Sequence, residues 1–313
     1  MKGVEGAAAS QGSPGTWSTH PDDWHLTQDV DAFLTQAGYF LRSHAALHNT
    51  PLTDIDKLRT HRAADSNDEA PIFGRLESQG EVRETFYLTP FGRLGLTPLS
   101  AEQTDTLAAH LADLGHSPAH VIAEHDTAGA FSKSWQKHTG AASTPFWKTH
   151  LYRLGTLTPP QPRPEGQGRL TGRKDRDQIV RWCREFCVDV GEQRSIDLID
   201  AGSWENSRFG NRRFMFWETP EGVPVSMAAS TSLVGGMVRV DPVYTPAHLR
   251  GRGYAGAVTV EASRAAQAAG ATDVVLFTDP DNPTSNALYQ RIGYVHLADF
   301  AGYRFSYDAP EAG

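Results

Sequence analysis

The segment Val243-Tyr-Thr-Pro-Ala-His-Leu-Arg-Gly-Arg-Gly-Tyr-Ala-Gly256 constrains this chain more than any other. Before it, Met237 to Tyr244 alternates as a strand does; after it, Gly253 to Ala269 reads as a helix. The inner face of that helix is mostly small (Ala255, Val258, Ala262, Ala266, Ala269), so it can lie close on a sheet. A strand that feeds a helix through glycines belongs to a mixed α/β architecture. Such a turn aims several backbone N–H groups at one point, and the helix dipole adds positive potential there. Arg250 and Arg252 supply two further positive charges. The predicted ligand is an anion, a pyrophosphate before others.

The surrounding pattern divides the chain. Thr158-Pro-Pro-Gln-Pro-Arg-Pro-Glu-Gly-Gln-Gly168 holds four prolines and two glycines and cannot belong to a regular element. It separates a first unit, 24–157, from a second, 169–313, after a mobile tail over 1–23 rich in Gly, Ala and Ser. In the first unit, Val30, Phe33, Leu34, Ala37 and Leu41 predict a helix with Asp29 and Asp31 near its positive end. Glu81 to Leu88 predicts a strand, Leu107 to Leu114 a helix and Trp147 to Leu157 a closing strand. In the second, Ile179, Trp182, Cys183, Phe186, Cys187 and Val190 form one helical stripe with Thr171 as its cap. Strands follow over Arg213 to Glu218 and Val223 to Ala229, then Asp273 to Thr278, a short helix over Thr284 to Ile292, and a last strand from Tyr294 to Tyr307.

Composition excludes several classes. With 39% hydrophobic and 21% charged residues the chain is ordinary globular material. Its net charge of −8 is a poor match for nucleic acid or anionic lipid. The longest apolar run is four residues, against about 18 for a membrane span, and the first residues do not read as a secretory signal. Two cysteines exclude a disulfide scaffold and fit a reducing cytoplasm. Cys183 and Cys187 sit on the apolar stripe and are expected to pack. His116, His120 and His125 follow no zinc spacing, so no metal is expected and these histidines should face solvent or cap.

Gly251, Gly253 and Gly256 also match the dinucleotide pattern G-x-G-x-x-G, with Asp279 as the ribose partner. Two observations oppose that reading. Six residues, Thr245 to Arg250, intervene between strand and glycines, and only 34 residues follow Asp279. The spacing Arg250-x-x-Gly253-x-Ala255 instead resembles the R/Q-x-x-G-x-G/A signature of the GCN5-related N-acetyltransferases, the GNAT superfamily. Asp281-Asn-Pro-Thr-Ser-Asn-Ala-Leu-Tyr-Gln-Arg-Ile-Gly-Tyr294 is similar to that family's second motif, an Asn seven residues before a Tyr and then a Gly-aromatic pair. The likeness covers about 171–308.

The resemblance implies the GNAT acyl-CoA N-acyltransferase fold in the C-terminal half, with the N-terminal half as a degenerate copy lacking the phosphate loop. It implies acetyl-CoA as acyl donor, the pyrophosphate wrapped by Arg250, Gly251, Arg252, Gly253, Tyr254 and Ala255. Pantetheine would lie along Val243, Tyr244 and Thr245, where the family's fourth and fifth strands splay. Asn282 and Ser285 match positions that meet the cofactor, or serve as turn and cap. Tyr289 matches the acid for the departing sulfur. For the base, Asp241 and Glu218 are candidates beside water alone. The implied activity is N-acetylation of a primary amine on a small molecule by direct attack in a ternary complex. Two alternatives stand beside it: an aminoacyl-tRNA-dependent transferase on the same fold, disfavoured by the acidity of the chain, and a module that holds acyl-CoA without catalysis.

Overall fold

The computed structural model describes residues 24–61 and 70–307. The tail predicted over 1–23 lies outside the described residues. The first half runs β1 (Trp24–Thr27), α1 (Val30–Ser43), α2 (Asn49–His61), β2 (Ile72–Ser78), β3 (Glu81–Leu88), β4 (Arg93–Leu96), α3 (Ala101–Asp113), β5 (His120–Glu124), α4 (His125–Thr139) and β6 (Ala142–Leu154). The second half repeats the series: β7 (Gln167–Leu170), α5 (Arg176–Val190), α6 (Gln193–Asp200), β8 (Arg213–Glu218), β9 (Pro224–Ser230), β10 (Met237–Tyr244), α7 (Tyr254–Ala268), β11 (Asp273–Thr278), α8 (Pro283–Arg291) and β12 (Tyr294–Ser306).

All strands form one 12-stranded sheet in the order β1-β2-β3-β4-β5-β12-β6-β11-β10-β9-β8-β7. Adding six to each first-half number and reversing the order returns the same list, so the sheet has a pseudo-twofold between β6 and β12. Each half donates its last strand to the other. β12 pairs with β5, and β6 pairs with β11, while the two exchanged strands pair antiparallel along nearly their whole length, from Tyr294↔Leu154 to Ser306↔Ala142. The parallel pairs β4–β5 and β10–β11 occupy equivalent places.

Alternation along the strands sends side chains to two helical layers. In the second half, Met215 and Trp217 face the core under α7 and α8, and Phe214 and Phe216 face the core under α5 and α6. The first half has the same two layers, but its cores reach across the exchange. Ala301 and Phe305 of β12 pack with Phe131 and Trp135 of α4, while Phe33, Leu41 and Ile55 of α1 and α2 pack with Met237, Val275 and Phe300.

Local chemistry explains the helix ends. Asp29 caps α1, accepting from the amides of Asp31 and Ala32 at 2.9 and 3.1 Å. Thr171 is not the cap of α5. A short 3₁₀ turn, Arg173–Asp175, intervenes, and the Thr171 hydroxyl donates to the Phe214 carbonyl instead. The α5 stripe is buried at Ile179, Trp182, Cys183 and Cys187, but Val190 lies past it in solvent. On α7, Val258, Ala262 and Ala266 are buried as the small-residue pattern requires, Ala255 is half-buried, and Ala269 lies exposed beyond the helix end.

Because β6 lies between β11 and β12, a chain cut to residues 168–313 keeps both strands but loses the one between them. Such a fragment is expected to be insoluble or molten, with lost near-ultraviolet dichroism. Adding residues 24–157 in trans should restore the signal; a well-folded, soluble fragment alone would contradict the exchange.

Candidate acyl-CoA site

The ladder between β10 and β11 holds only three rungs, Met237↔Asp273, Val238↔Val274 and Arg239↔Val275. Both strands continue past it, to Tyr244 and Thr278, without pairing to each other. β10 turns away there through a register shift between Val240 and Val243 on its other neighbour, β9. The splay expected for this pair is therefore present. It leaves main-chain groups of both strands facing a wedge-shaped opening, and such groups need partners when shielded from water.

At the wide end of the wedge the chain turns through a 3₁₀ turn, Ala247–Leu249, into α7. Gly251 and Gly253 hold φ of +77° and +80°, the left-handed region that glycine adopts without strain. No side chain caps α7. The equivalent helix of the first half, α3, is closed: Ser100 Oγ accepts from the Gln103 amide while Gln103 Oε1 accepts from the Ser100 amide. Of these two N-termini, only the second-half one offers its amides to an anion.

The two arginines of the loop differ. Arg250, though exposed, is engaged: its Nε donates to the Thr245 carbonyl at 2.9 Å and its guanidinium pairs with Asp189 of α5. It braces the loop and shares its charge. Arg252 is exposed and makes one long bond to the His248 carbonyl, 3.3 Å. Tyr244 points away from the wedge, donating to Glu185, and the Thr245 hydroxyl meets Ser226 at 2.8 Å. Asn282 caps α8, its Oδ1 accepting from the Ser285 amide at 3.0 Å.

Tyr289 and Tyr294 form an edge-to-face pair in one core. Tyr294 OH bonds Ser263 Oγ at 2.7 Å, whereas no group among the described residues bonds the Tyr289 hydroxyl. Burial, and secondarily the Asp241 carboxylate, raise the Tyr289 pKa, so the phenol holds its proton. Neither candidate base is free. Burial alone would raise the Asp241 pKa, but Arg208, Arg212 and Arg239 hold it well below the usual carboxylate range. Glu218 is taken by Arg169, which also grips Asp175.

The sequence reading missed a charged cluster assembled beside Asp241. Arg208 and Arg212 from the connection before β8 both donate to this carboxylate. Arg93 of β4 pairs with Asp54 of α2 at 3.0 Å, Tyr87 donates to the same carboxylate, and Arg239 donates to Asn49 of α2 at 3.0 Å. These residues are up to 190 positions apart in the chain, and no local pattern marks them. Cys183 and Cys187 are buried and free, and burial pushes Cys187 up to about 12, an inert thiol. Among the described residues, the histidines that converge are His150 and His296, both on Asp299 Oδ1. His120, expected to face solvent, is half-buried against Phe146, and desolvation drives its pKa down to about 4.

Gly253→Ala should destabilise by roughly 1–2 kcal/mol from backbone strain alone, because the added methyl meets only Pro164 at ordinary contact distance. Chemical denaturation measures this. Asp241→Asn strips Arg208 and Arg212 of their shared partner and should cost about 3 kcal/mol. Asp241 has a depressed folded-state pKa, so its stabilisation is full above the unfolded value near ~4 and fades as pH falls below it. The variant should show a flatter acid limb in thermal melts across pH.

The sequence model of the acetyltransferase (GNAT) family matches residues 177–294, which run from α5 to the first residue of β12. No curated protein matches the sequence. Among solved structures, a Drosophila protein is 13% identical, covering 92% of this chain and 100% of its own, with a TM-score of 0.56. A GCN5-related N-acetyltransferase from Sphaerobacter thermophilus is 15% identical over 91% of this chain and 96% of its own, TM-score 0.53. A tandem GNAT protein from the clavulanic acid biosynthesis pathway is 13% identical over 92% and 100%, TM-score 0.52. At such identities the likeness shows the fold. Residues 177–294 thus match the GNAT acetyltransferase family, and the N-terminal half repeats the fold of the C-terminal half without its phosphate loop.

Proposed function

We propose that the protein is an N-acetyltransferase that moves an acetyl group from acetyl-CoA to a primary amine of a small molecule, by direct attack in a ternary complex. The observation that carries this reading is the uncapped N-terminus of α7 at the mouth of the β10–β11 wedge. The amides of Gly251 to Ala255 and the Arg252 guanidinium would hold the pyrophosphate, with Arg250 bracing the loop. Unpaired main-chain groups at Val243, Tyr244 and Thr245 would pair with pantetheine, itself a string of amides. Asn282 and Ser285 flank the same opening.

Acetyl-CoA supplies an activated thioester carbonyl. A main-chain N–H of β10 would stabilise the oxyanion formed when the amine attacks. As the new C–N bond forms and the C–S bond breaks, Tyr289 would donate its phenolic proton to the sulfur. The proton on the amine would leave to water, because Asp241 and Glu218 are both engaged by arginines.

In this reading the chain comprises a supporting unit over 24–157 and a catalytic unit over 169–313, joined by 158–168, with the first unit shaping the acceptor side. The last two residues of the joining segment, Gln167 and Gly168, belong to β7 rather than to an irregular segment. Two buried free thiols support a cytoplasmic setting. No helix of the described residues is long and apolar enough to cross a membrane.

Calorimetry with acetyl-CoA should register heat, and an amine panel should release free thiol. Tyr289→Phe should lower kcat by about 10²-fold while leaving affinity for CoA nearly intact. Heat without thiol release from any amine would make the protein an acyl-CoA-holding module instead. No heat on folded protein would remove the reading altogether.

A further inference from the structure

The wedge between β10 and β11 closes at Arg239, the last residue of β10 paired with β11, and Asp241 stands two residues further into the opening. Around these two residues gather Arg208, Arg212 and Glu192 from the second half and Lys57, Asp54 and Arg93 from the first. Lys57, Arg212 and Arg239 each feel the charge of several of the others. Among the described residues, the four arginines of this group outnumber its three carboxylates where the halves meet.

That excess is costly. Desolvation, with neighbouring cations adding to it, lowers Arg212 to about 9 and Lys57 to about 8. The Arg212 side chain is only 4% exposed, and its Nε has no hydrogen-bond partner; the Nε of Arg93 is also buried and unpartnered. Arg239 has an amide oxygen, Asn49 Oδ1, where an ion pair could have formed, and its guanidinium lies 5.8 Å over the Phe277 ring. Buried guanidinium groups with spare donors match carboxylate or phosphate oxygens.

We propose that this cluster binds an anionic group, carboxylate or phosphate, on the amine acceptor. The proposal rests on the acetyltransferase reading for the word acceptor, and on the charges and geometry alone for the anion. The position fits the reaction: Asp241 ties the cluster to β10 just before Val243, and its field reaches Tyr289. An acceptor held here by its anionic end would extend its amine toward the thioester. Arg93, Lys57 and Asn49 come from the N-terminal half, which gives that half a direct share in acceptor choice.

The test compares amines matched in length, with acetyl-CoA saturating: 4-aminobutyrate against butylamine, and 2-aminoethyl phosphate against ethanolamine. The acidic member of at least one pair should have a KM roughly 10- to 100-fold lower, the range of a charged hydrogen-bonded contact, and the favoured pair tells carboxylate from phosphate. Arg239→Gln should abolish that preference through KM more than kcat, and Arg239→Lys should keep part of it. If amines are acetylated but acidic and neutral ones serve equally, this inference falls and the acetyltransferase reading stands. A second arm needs no turnover: succinate should raise the Tm of the wild-type protein and of Arg252→Gln but not of Arg239→Gln, each against its own ligand-free value. That pattern upholds the anion site even if acetyl-CoA gives no heat. Equal shifts in all three proteins, or none, overturn it.

Discussion

The antiparallel pairing of β6 with β12 is the contact on which the rest of the molecule depends. It lies at the centre of the sheet and joins the last strand of each half to the other half. Neither half has a complete sheet without it, and three of the four cores draw side chains from both halves. A connection through exchanged strands holds the relative position of the halves far more firmly than a linker does, because shifting them breaks a ladder and opens the shared cores together. The proline-rich segment marks where the second series of elements begins, while the sheet itself runs on without a break.

On this near-symmetric frame, function follows from where the symmetry fails. The helices α3 and α7 stand in equivalent places after equivalent strands, yet a capping box occupies the first N-terminus and glycines leave the second open. The same backbone dipole is thus used internally in one half and offered outward in the other. The wedge next to α7 is the second departure. Its strands separate after three rungs, and the register shift in β10 turns that strand toward β9.

Charged groups gather where the halves meet, and they follow from the exchange. The first half brings α2 and β4 against β10, which places Asp54, Lys57 and Arg93 beside Arg239 and Asp241. Burial penalises every one of these charges, and only mutual pairing offsets it. Among the described residues the arginines of this cluster outnumber its carboxylates. Asp241, a plausible base on sequence grounds, is instead an anchor, because three guanidinium groups stabilise its ionised form.

Much of the second half is legible in the chain. Strands over 213–218, 237–244 and 273–278 stand at the bounds read from the chain, and α7 where small residues recur. The first half is less so: β4 has four residues, β5 five and runs straight into α4, and α2 carries polar residues and a proline, too little for a periodic signal. Local spacing by itself determined the strand–loop–helix unit, its glycines at positive φ and the tyrosine of α8, because those features arise from neighbouring residues. The strand exchange, the availability of Arg252 rather than Arg250, and the assembly of three arginines around Asp241 were decided only in three dimensions. They depend on contacts between residues far apart in sequence, and their energies come from burial and pairing that no short window of residues contains.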